Sequence, residues 1–231
     1  MSGVRLTFPG TQEVIARRED RTGYETSAGT MPSITRVIGE TASPESKAAL
    51  QTWLARPGAQ RESAAACRRG TWMHEQVERH LMGQATENHL AFGGYLRNIL
   101  PWVKENVVEP LAMEMPVFFP HGSLGAAGTF DLLAYCAHWQ DVTLIDWKSS
   151  KRRRSADLVA GYMAQLGAYS LGLKHTYDIE PTKACLVIGR PTGSWPDVWI
   201  LEHEDLLAQE QVFLERLDRY LETLDRASCA A

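Results

Sequence analysis

The sequence predicts an α/β (α+β) protein, a hairpin-built sheet with helices packed on it and a mainly helical N-terminal half. Three observations predict this class. The first 110 or so residues carry helix starts, stops and helical spacing. Between Met113 and Trp147 the texture changes to short runs of β-forming residues separated by a glycine-rich turn. From Asp157 onward an amphipathic helix, a short apolar strand and a closing helix follow. The order is therefore helices, then β-β-β-α-β, then a helix.

Residues 1–30 are rich in Gly, Thr and charge and show no period; they read as an arm, either extended or a poorly ordered tail. The remainder, 31–231, reads as one domain, helical over 31–110 and holding the sheet core and C-terminal helix over 111–231. Pro32-Ser33 precedes a short apolar stretch, Ile34 to Ile38. Ser43-Pro44-Glu45 supplies a capping hydroxyl, a proline at the first helical position and an early carboxylate, so a helix starts there and stops at Arg56-Pro57-Gly58. A longer helix is expected from about Arg61 to Met82, ended by Gly83, and another from Leu90 to Asn106. Strands are expected at Met113–Phe119, Thr129–Cys136 and Val142–Trp147. Leu158, Tyr162, Leu166, Tyr169 and Leu173 share one face of a helix over Asp157–Leu173. Ala184–Ile188 and Val198–Leu201 are short strands, and Glu204–Asp225 is the closing helix.

Composition excludes several classes. With 231 residues, 44% hydrophobic and 23% charged, the chain can bury a core without disulfides or a structural metal. No window has the length of apolar sequence that a membrane helix needs, and the N-terminus lacks a signal-peptide apolar region. The four cysteines, Cys67, Cys136, Cys185 and Cys229, are scattered without a C-x-x-C pair. This argues against a zinc knuckle and for a cytoplasmic location. Net charge is −4, so any nucleic-acid contact must be local. The candidates are Lys151-Arg152-Arg153-Arg154 and Arg68-Arg69, although such clusters are often simply solvated surface.

Strand alternation places Asp131 with Leu133 and Tyr135, and Asp146 with Leu144 and Lys148. A tight hairpin centred on His138-Trp139 sets Asp131 directly across from Asp146. Facing carboxylates in otherwise apolar strands repel one another. A divalent cation compensates this directly, because Mg²⁺ takes one or two carboxylates together with water and phosphate oxygens. Lys148 adds a positive charge that suits it to orient or deprotonate water, or to stabilise charge on a phosphate. The competing reading is a turn-ending Asp131 and a solvated Asp146–Lys148 pair.

These residues resemble a known superfamily. Gly128-Thr129-Phe130-Asp131 followed by Ile145-Asp146-Trp147-Lys148 resembles the motif pair of the PD-(D/E)XK nucleases. Gly70-x-x-x-His74-x-x-x-Glu78, Glu114-Met115-Pro116-Val117, Ser149-Ser150-Lys151 and Gln165-x-x-x-Tyr169 resemble motifs of its RecB-like exonuclease branch. Pro32-Ser33-Ile34-Thr35-Arg36-Val37 resembles the N-terminal signature of the mitochondrial genome-maintenance exonucleases and their phage and bacterial relatives. The resemblance spans roughly residues 32 to 190, and its specificity lies in the ordered series rather than in any single motif.

The resemblance implies a restriction-endonuclease-like mixed sheet and a DNA exonuclease dependent on Mg²⁺ or Mn²⁺. It implies metal ligation by His74, Asp131, Asp146 and the backbone carbonyl of Trp147. Lys148 becomes the catalytic lysine, Gln165 and Tyr169 line the site, and Glu114 occupies a family position of less defined role. An imidazole ligand suits Mn²⁺ better than Mg²⁺. Cys185 and Cys229 are too far apart for the iron–sulfur cluster of some relatives, so no cluster is expected. DNA contacts are expected from Arg68, Arg69, Trp72, Ser149, Ser150, Lys151, Arg152, Arg153 and Arg154. Trp72, Phe92, Tyr95 and Trp102 are candidates to stack on unpaired bases, with helix packing favoured for Phe92 and Trp102. A helical arch over the site favours single-stranded or free-ended DNA. The alternatives are an endonuclease on the same fold and a non-cutting DNA-binding module.

Overall fold

The computed structural model describes residues 16–18, 23–154 and 156–229. Three short strands come first: β1 (Ala16–Arg17), β2 (Gly23–Thr26) and β3 (Gly29–Pro32). Four helices follow, α1 (Ile34–Glu40), α2 (Pro44–Leu54), α3 (Ala59–Leu81) and α4 (Gly93–Asn106). The core elements are β4 (Val107–Phe119), β5 (Ala126–Cys136), β6 (Asp141–Ser149), α5 (Ala156–Tyr177), β7 (Lys183–Gly189), β8 (Asp197–Leu201) and α6 (His203–Cys229).

The main sheet is mixed, ordered β4-β5-β6-β7-β8, with β6 and β7 parallel and the other neighbours antiparallel. The parallel pair needs a crossover, and α5 supplies it. Alternation along β6 and β7 divides the core into two layers. Leu144, Leu186 and Ile188 pack with α1, α5 and α6 on one face. Ile145, Trp147, Cys185 and Val187 pack with Met73 and Val77 of α3 and Ile99 and Trp102 of α4 on the other. Helices thus flank both faces, as the sequence leads one to expect. Among the described residues, no helix is long and apolar enough to cross a membrane.

Two local departures from the sequence reading bear on the site. Residues 16–17 and 23–32 form an antiparallel three-stranded sheet, so this part of the expected arm is structured. Tyr24 and Met31 are buried there against Phe118 and Ala127, a long-range apolar contact that local composition does not reveal. Residues 1–15 and 19–22, the rest of the arm, lie outside the described residues. The apolar stretch after Ser33 is a helix, capped by the Ser33 hydroxyl accepting from the Arg36 amide at 3.2 Å. It lies against β5 where Gly128 has no side chain. A Cβ there would come within 2.8 Å of both Ile34 Cδ1 and Tyr169 Cε1. The glycine of the Gly-x-x-Asp motif is therefore demanded by the close approach of α1 and α5.

The cysteines take no common position. Cys67 is exposed on α3, and Cys136 and Cys185 are buried in the sheet. The side chain of Cys229, which enters the cluster expectation, lies outside the described residues.

Candidate active site

The β5–β6 register pairs Leu132 with Ile145 and Leu133 with Leu144, the hairpin register expected from the sequence. Continued one step, it sets Asp131 opposite Asp146, just past the last paired residues. On the other side, β4 pairs Met113 with Leu132 and Met115 with Phe130, so Glu114 stands opposite Asp131. Three carboxylates, Glu114, Asp131 and Asp146, therefore form a row across three adjacent strands.

The ladder is interrupted along this row. Glu114 adopts a left-handed φ of 48°, uncommon for a residue with a side chain. Strand alternation breaks at the same place: Phe130 and Leu133 join one layer, while Leu132 and Ala134 join the other. Asp131 Oδ2 accepts the Trp147 amide at 2.7 Å, a side-chain bond at the point where the backbone ladder stops. The sheet opens here, and the opening creates room for a ligand.

His74 reaches this opening from α3. Its Nε2 donates to the Trp147 carbonyl at 2.8 Å, which fixes the orientation of the ring. Nδ1 then faces Asp131 Oδ1 at 3.5 Å and Glu114 Oε1 at 3.6 Å. Burial works against a charged imidazole, but Asp131 and Glu114 outweigh it and lift the ring to about 9. The ring thus carries a proton where a cation is favoured. Ligand atoms of His74, Glu114 and Asp131 lie within 4.8 Å of one another, so this group could hold a metal ion.

Two further features bear on the ligand set. Glu114 stands in the cluster with His74 and Asp131, and Asp146 stands beside it, paired with Lys148. The Trp147 carbonyl, expected as a ligand, is engaged by His74.

Asp146 is completely buried, and among the described residues neither of its oxygens receives a directional hydrogen bond. Its counter-charge is the Lys148 ammonium. Burial, with Asp131 adding to it, pushes the carboxyl up to about 6 even though Lys148 pulls the other way. Burial also works against the Lys148 charge, but Asp146 and Asp131 hold it above the usual lysine range. A lysine held in its charged form beside a carboxylate is suited to stabilise negative charge and poorly suited to deprotonate water. The oxygen-rich donors, the buried Asp146 oxygens without directional partners and the single imidazole fit a hard divalent cation.

The opposite wall belongs to α5. Gln165 Nε2 donates to the Tyr169 hydroxyl at 2.6 Å, and both side chains are buried. Burial, reinforced by Asp146 and Asp131, raises Tyr169 well above the ordinary phenol range, so its hydroxyl stays a proton donor. Lys148 Nζ lies 5.4 Å from the centre of the Tyr162 ring, a contact the sequence reading missed. Tyr162 was legible only as part of the apolar face of that helix, where it precedes Tyr169 by two turns. Tyr24, also missed, bonds Thr129 at 3.1 Å and lines the same cleft. This open cleft of about 660 Å³ brings together His74, Glu114, Asp131, Lys148, Gln165 and Tyr169.

The expected DNA-contacting residues divide. Arg68, Lys151, Arg152 and Arg153 are exposed, and Arg154 is partly so. Arg69 is buried, with Nε donating to Ser149 Oγ at 2.9 Å and its guanidinium 4.7 Å from the Tyr95 ring centre. Ser150 is buried too, its hydroxyl donating to the Arg152 carbonyl at 2.7 Å and accepting from Arg154 Nε at 3.1 Å. Arg69 and Ser150 are thus tied to the scaffold by these bonds, and both also line the cleft beside the Lys151–Arg154 turn. Trp72 packs with His89 and Phe92 at ring-centre distances of 5.4 and 6.1 Å. Tyr95 and Trp102 are each 3% exposed. Tyr95 and Trp102 pack within the helical layer, while Trp72 is only half-buried there.

A mixed sheet with a carboxylate row, a D-x-K lysine and a helical histidine defines a nuclease-type site. The chain belongs to the PD-(D/E)XK nuclease superfamily, whose family model matches residues 47–224. A search of curated proteins finds no significant match. Among solved structures, the chain is similar to the protein SSO0001 at 13% identity and TM-score 0.42, over 80% of this chain and 75% of that one. It is also similar to a candidate exonuclease from Eubacterium rectale at 12% identity and TM-score 0.46, over 66% of each chain.

Proposed function

We propose that the protein is a divalent-metal-dependent DNA exonuclease of the RecB-like branch, acting on single-stranded or free-ended DNA. The observation that carries this reading is the convergence of His74, Glu114 and Asp131 beside the buried Asp146–Lys148 pair in one open cleft. His74 through Nδ1, Glu114, Asp131 and Asp146 would hold Mg²⁺ or Mn²⁺. A bound ion of this kind lowers the pKa of coordinated water and neutralises charge on a phosphoryl oxygen.

The chain's own groups do the rest. Lys148, charged throughout the physiological range, faces the cleft and stabilises the negative charge that builds on the scissile phosphate. Gln165 donates to the Tyr169 oxygen and leaves the phenolic proton free for a phosphate oxygen or water. Asp131 ties the Trp147 amide, and His74 ties the Trp147 carbonyl, so the peptide between Asp146 and Lys148 is held from both sides. Lys151 to Arg153 lie immediately beyond β6, and in this reading they would hold the neighbouring phosphates.

The test compares linear and circular single-stranded DNA, with 5′- and 3′-blocked linear strands, in Mg²⁺, Mn²⁺ and EDTA. Metal-dependent loss of linear strands with circles intact is the expected result, and Asp146→Ala abolishes it. Cutting of circles identifies an endonuclease. Full activity in EDTA or in Asp146→Ala overturns the proposal.

A further inference from the structure

Helix α2 is unusual in the structure because none of its residues is buried. It nevertheless carries Leu50, Trp53 and Leu54, and Leu50 and Leu54 are 55% and 44% exposed. A contiguous exposed apolar patch marks an interaction surface or a ligand groove. The face looks onto a cleft of about 540 Å³, separate from the catalytic one. Leu50, Trp53 and Ala66 form one wall, and Leu158, itself 58% exposed, adds to the apolar lining. The other wall is the turn after β6, Lys151 to Arg154.

The two walls differ in chemistry, and the difference identifies an occupant. Counting Arg69 with Lys151, Arg152, Arg153 and Arg154, the lining holds five basic side chains against one acidic residue, Glu62. The Lys151 and Arg152 side chains make no ion pair or hydrogen bond among the described residues and are exposed. The turn that carries them is fixed from within by the Ser150 hydroxyl, so its charges are presented from a defined backbone. Arg69 connects the cleft to the active strand by bonding both the hydroxyl and the carbonyl of Ser149, the residue after Lys148. A ligand with an anionic edge and a flat apolar face fits: phosphates on the basic turn, a base against Trp53.

We infer that this second cleft is a subsite for an unpaired nucleotide adjacent to the scissile bond, with its base stacked on Trp53 and its phosphate on Lys151 and Arg152. The inference rests on the nuclease reading above. It would give the proposed single-strand preference a physical basis, because a base paired in a duplex cannot present its face to Trp53. Base–aromatic stacking is sequence-tolerant, so the subsite selects unpaired bases without selecting a sequence.

The test is fluorescence anisotropy in EDTA with two labelled probes, oligo(dT) and an abasic strand of equal length. Trp53→Ala is expected to weaken oligo(dT) binding on the order of tenfold and to leave the abasic strand unchanged. Arg152→Ala is expected to weaken both probes alike and to flatten the salt dependence. No residue of α2 is fully buried and Trp53 itself is half-buried, so Trp53→Ala is expected to keep the fold, and circular dichroism with thermal melting checks this. Equal loss on both probes, or no loss on oligo(dT), overturns the inference; in the second case the apolar face belongs to a protein partner. Cleavage of linear DNA by the unaltered protein in Mn²⁺ is read separately. If that fails while the probe contrast holds, the nuclease reading is wrong and the nucleotide subsite stands.

Discussion

Asp146→Asn removes a charge and keeps the shape of the side chain it replaces. Asp146 is fully buried, and its carboxyl is moved from an ordinary value of 3.8 to about 6 by burial that Lys148 only partly offsets. That movement corresponds to about 3 kcal/mol of destabilisation by the ionised carboxylate at pH 8. The sign follows from the direction. A carboxyl raised on folding weakens the protein above the folded value, and the penalty fades as pH falls through 6 towards 4. In EDTA at pH 8, Asp146→Asn is therefore expected to stabilise the protein by up to about 3 kcal/mol, or up to roughly 10 °C in Tm for a chain of this size. At pH 4 the difference closes.

The same substitution removes the carboxylate proposed to hold the cation, so nuclease activity is lost. Saturating Mn²⁺ is expected to raise the Tm of the unaltered protein, by an amount equivalent to about 2.7 kcal/mol at a hundred times Kd, and to leave the variant almost unmoved. The assay is thermal and urea unfolding at pH 8, 6 and 4, with and without Mn²⁺. A destabilised Asp146→Asn protein at pH 8 refutes the reasoning. It would mean that the carboxylate anchors Lys148 for structure, and that its charge is not held in reserve for a cation.

Further predictions follow from neighbouring residues. His74 is raised to about 9, so its protonated form contributes stability fully below its ordinary 6.5, and that contribution is lost as pH rises through 9. Metal binding at Nδ1 displaces that proton, so between pH 6.5 and 9 Mn²⁺ binding releases up to about one proton; calorimetry in buffers of different ionisation enthalpy reads it, and pH-independent binding without release counts against His74 as a ligand. Gly128→Ala forces a methyl into Ile34 and Tyr169 and is expected to cost about 1–3 kcal/mol in urea unfolding; an unchanged midpoint contradicts the packing argument. Tyr169→Phe removes a donor held beside the cleft and is expected to lower kcat on the order of a hundredfold in single-turnover cleavage, while the loss of the oxygen that accepts from buried Gln165 costs about 1–3 kcal/mol of stability. An undiminished rate assigns Tyr169 to packing.

Local sequence carried a large part of this protein. Helix caps such as Ser43-Pro44, the change from helical to β texture near Met113 and the short connection after Cys136 determine most elements, because their signals lie within a few residues of the structure they specify. The hairpin register follows from the same short-range constraint, and with it the opposition of Asp131 and Asp146. Tertiary structure decided what depends on residues far apart in the chain. It folded part of the expected arm into a sheet over Phe118, a contact made by residues some 90 positions apart that no local pattern encodes. It brought Glu114 into line with the other carboxylates by turning its backbone left-handed, and a strand pattern gives no sign of a single inverted φ. It also turned Arg69 and Ser150 inward, because a side chain's partners are set by what packs above it. The two aspartates and the lysine are local features of the chain; the opening in the sheet that makes them a site is a property of the fold.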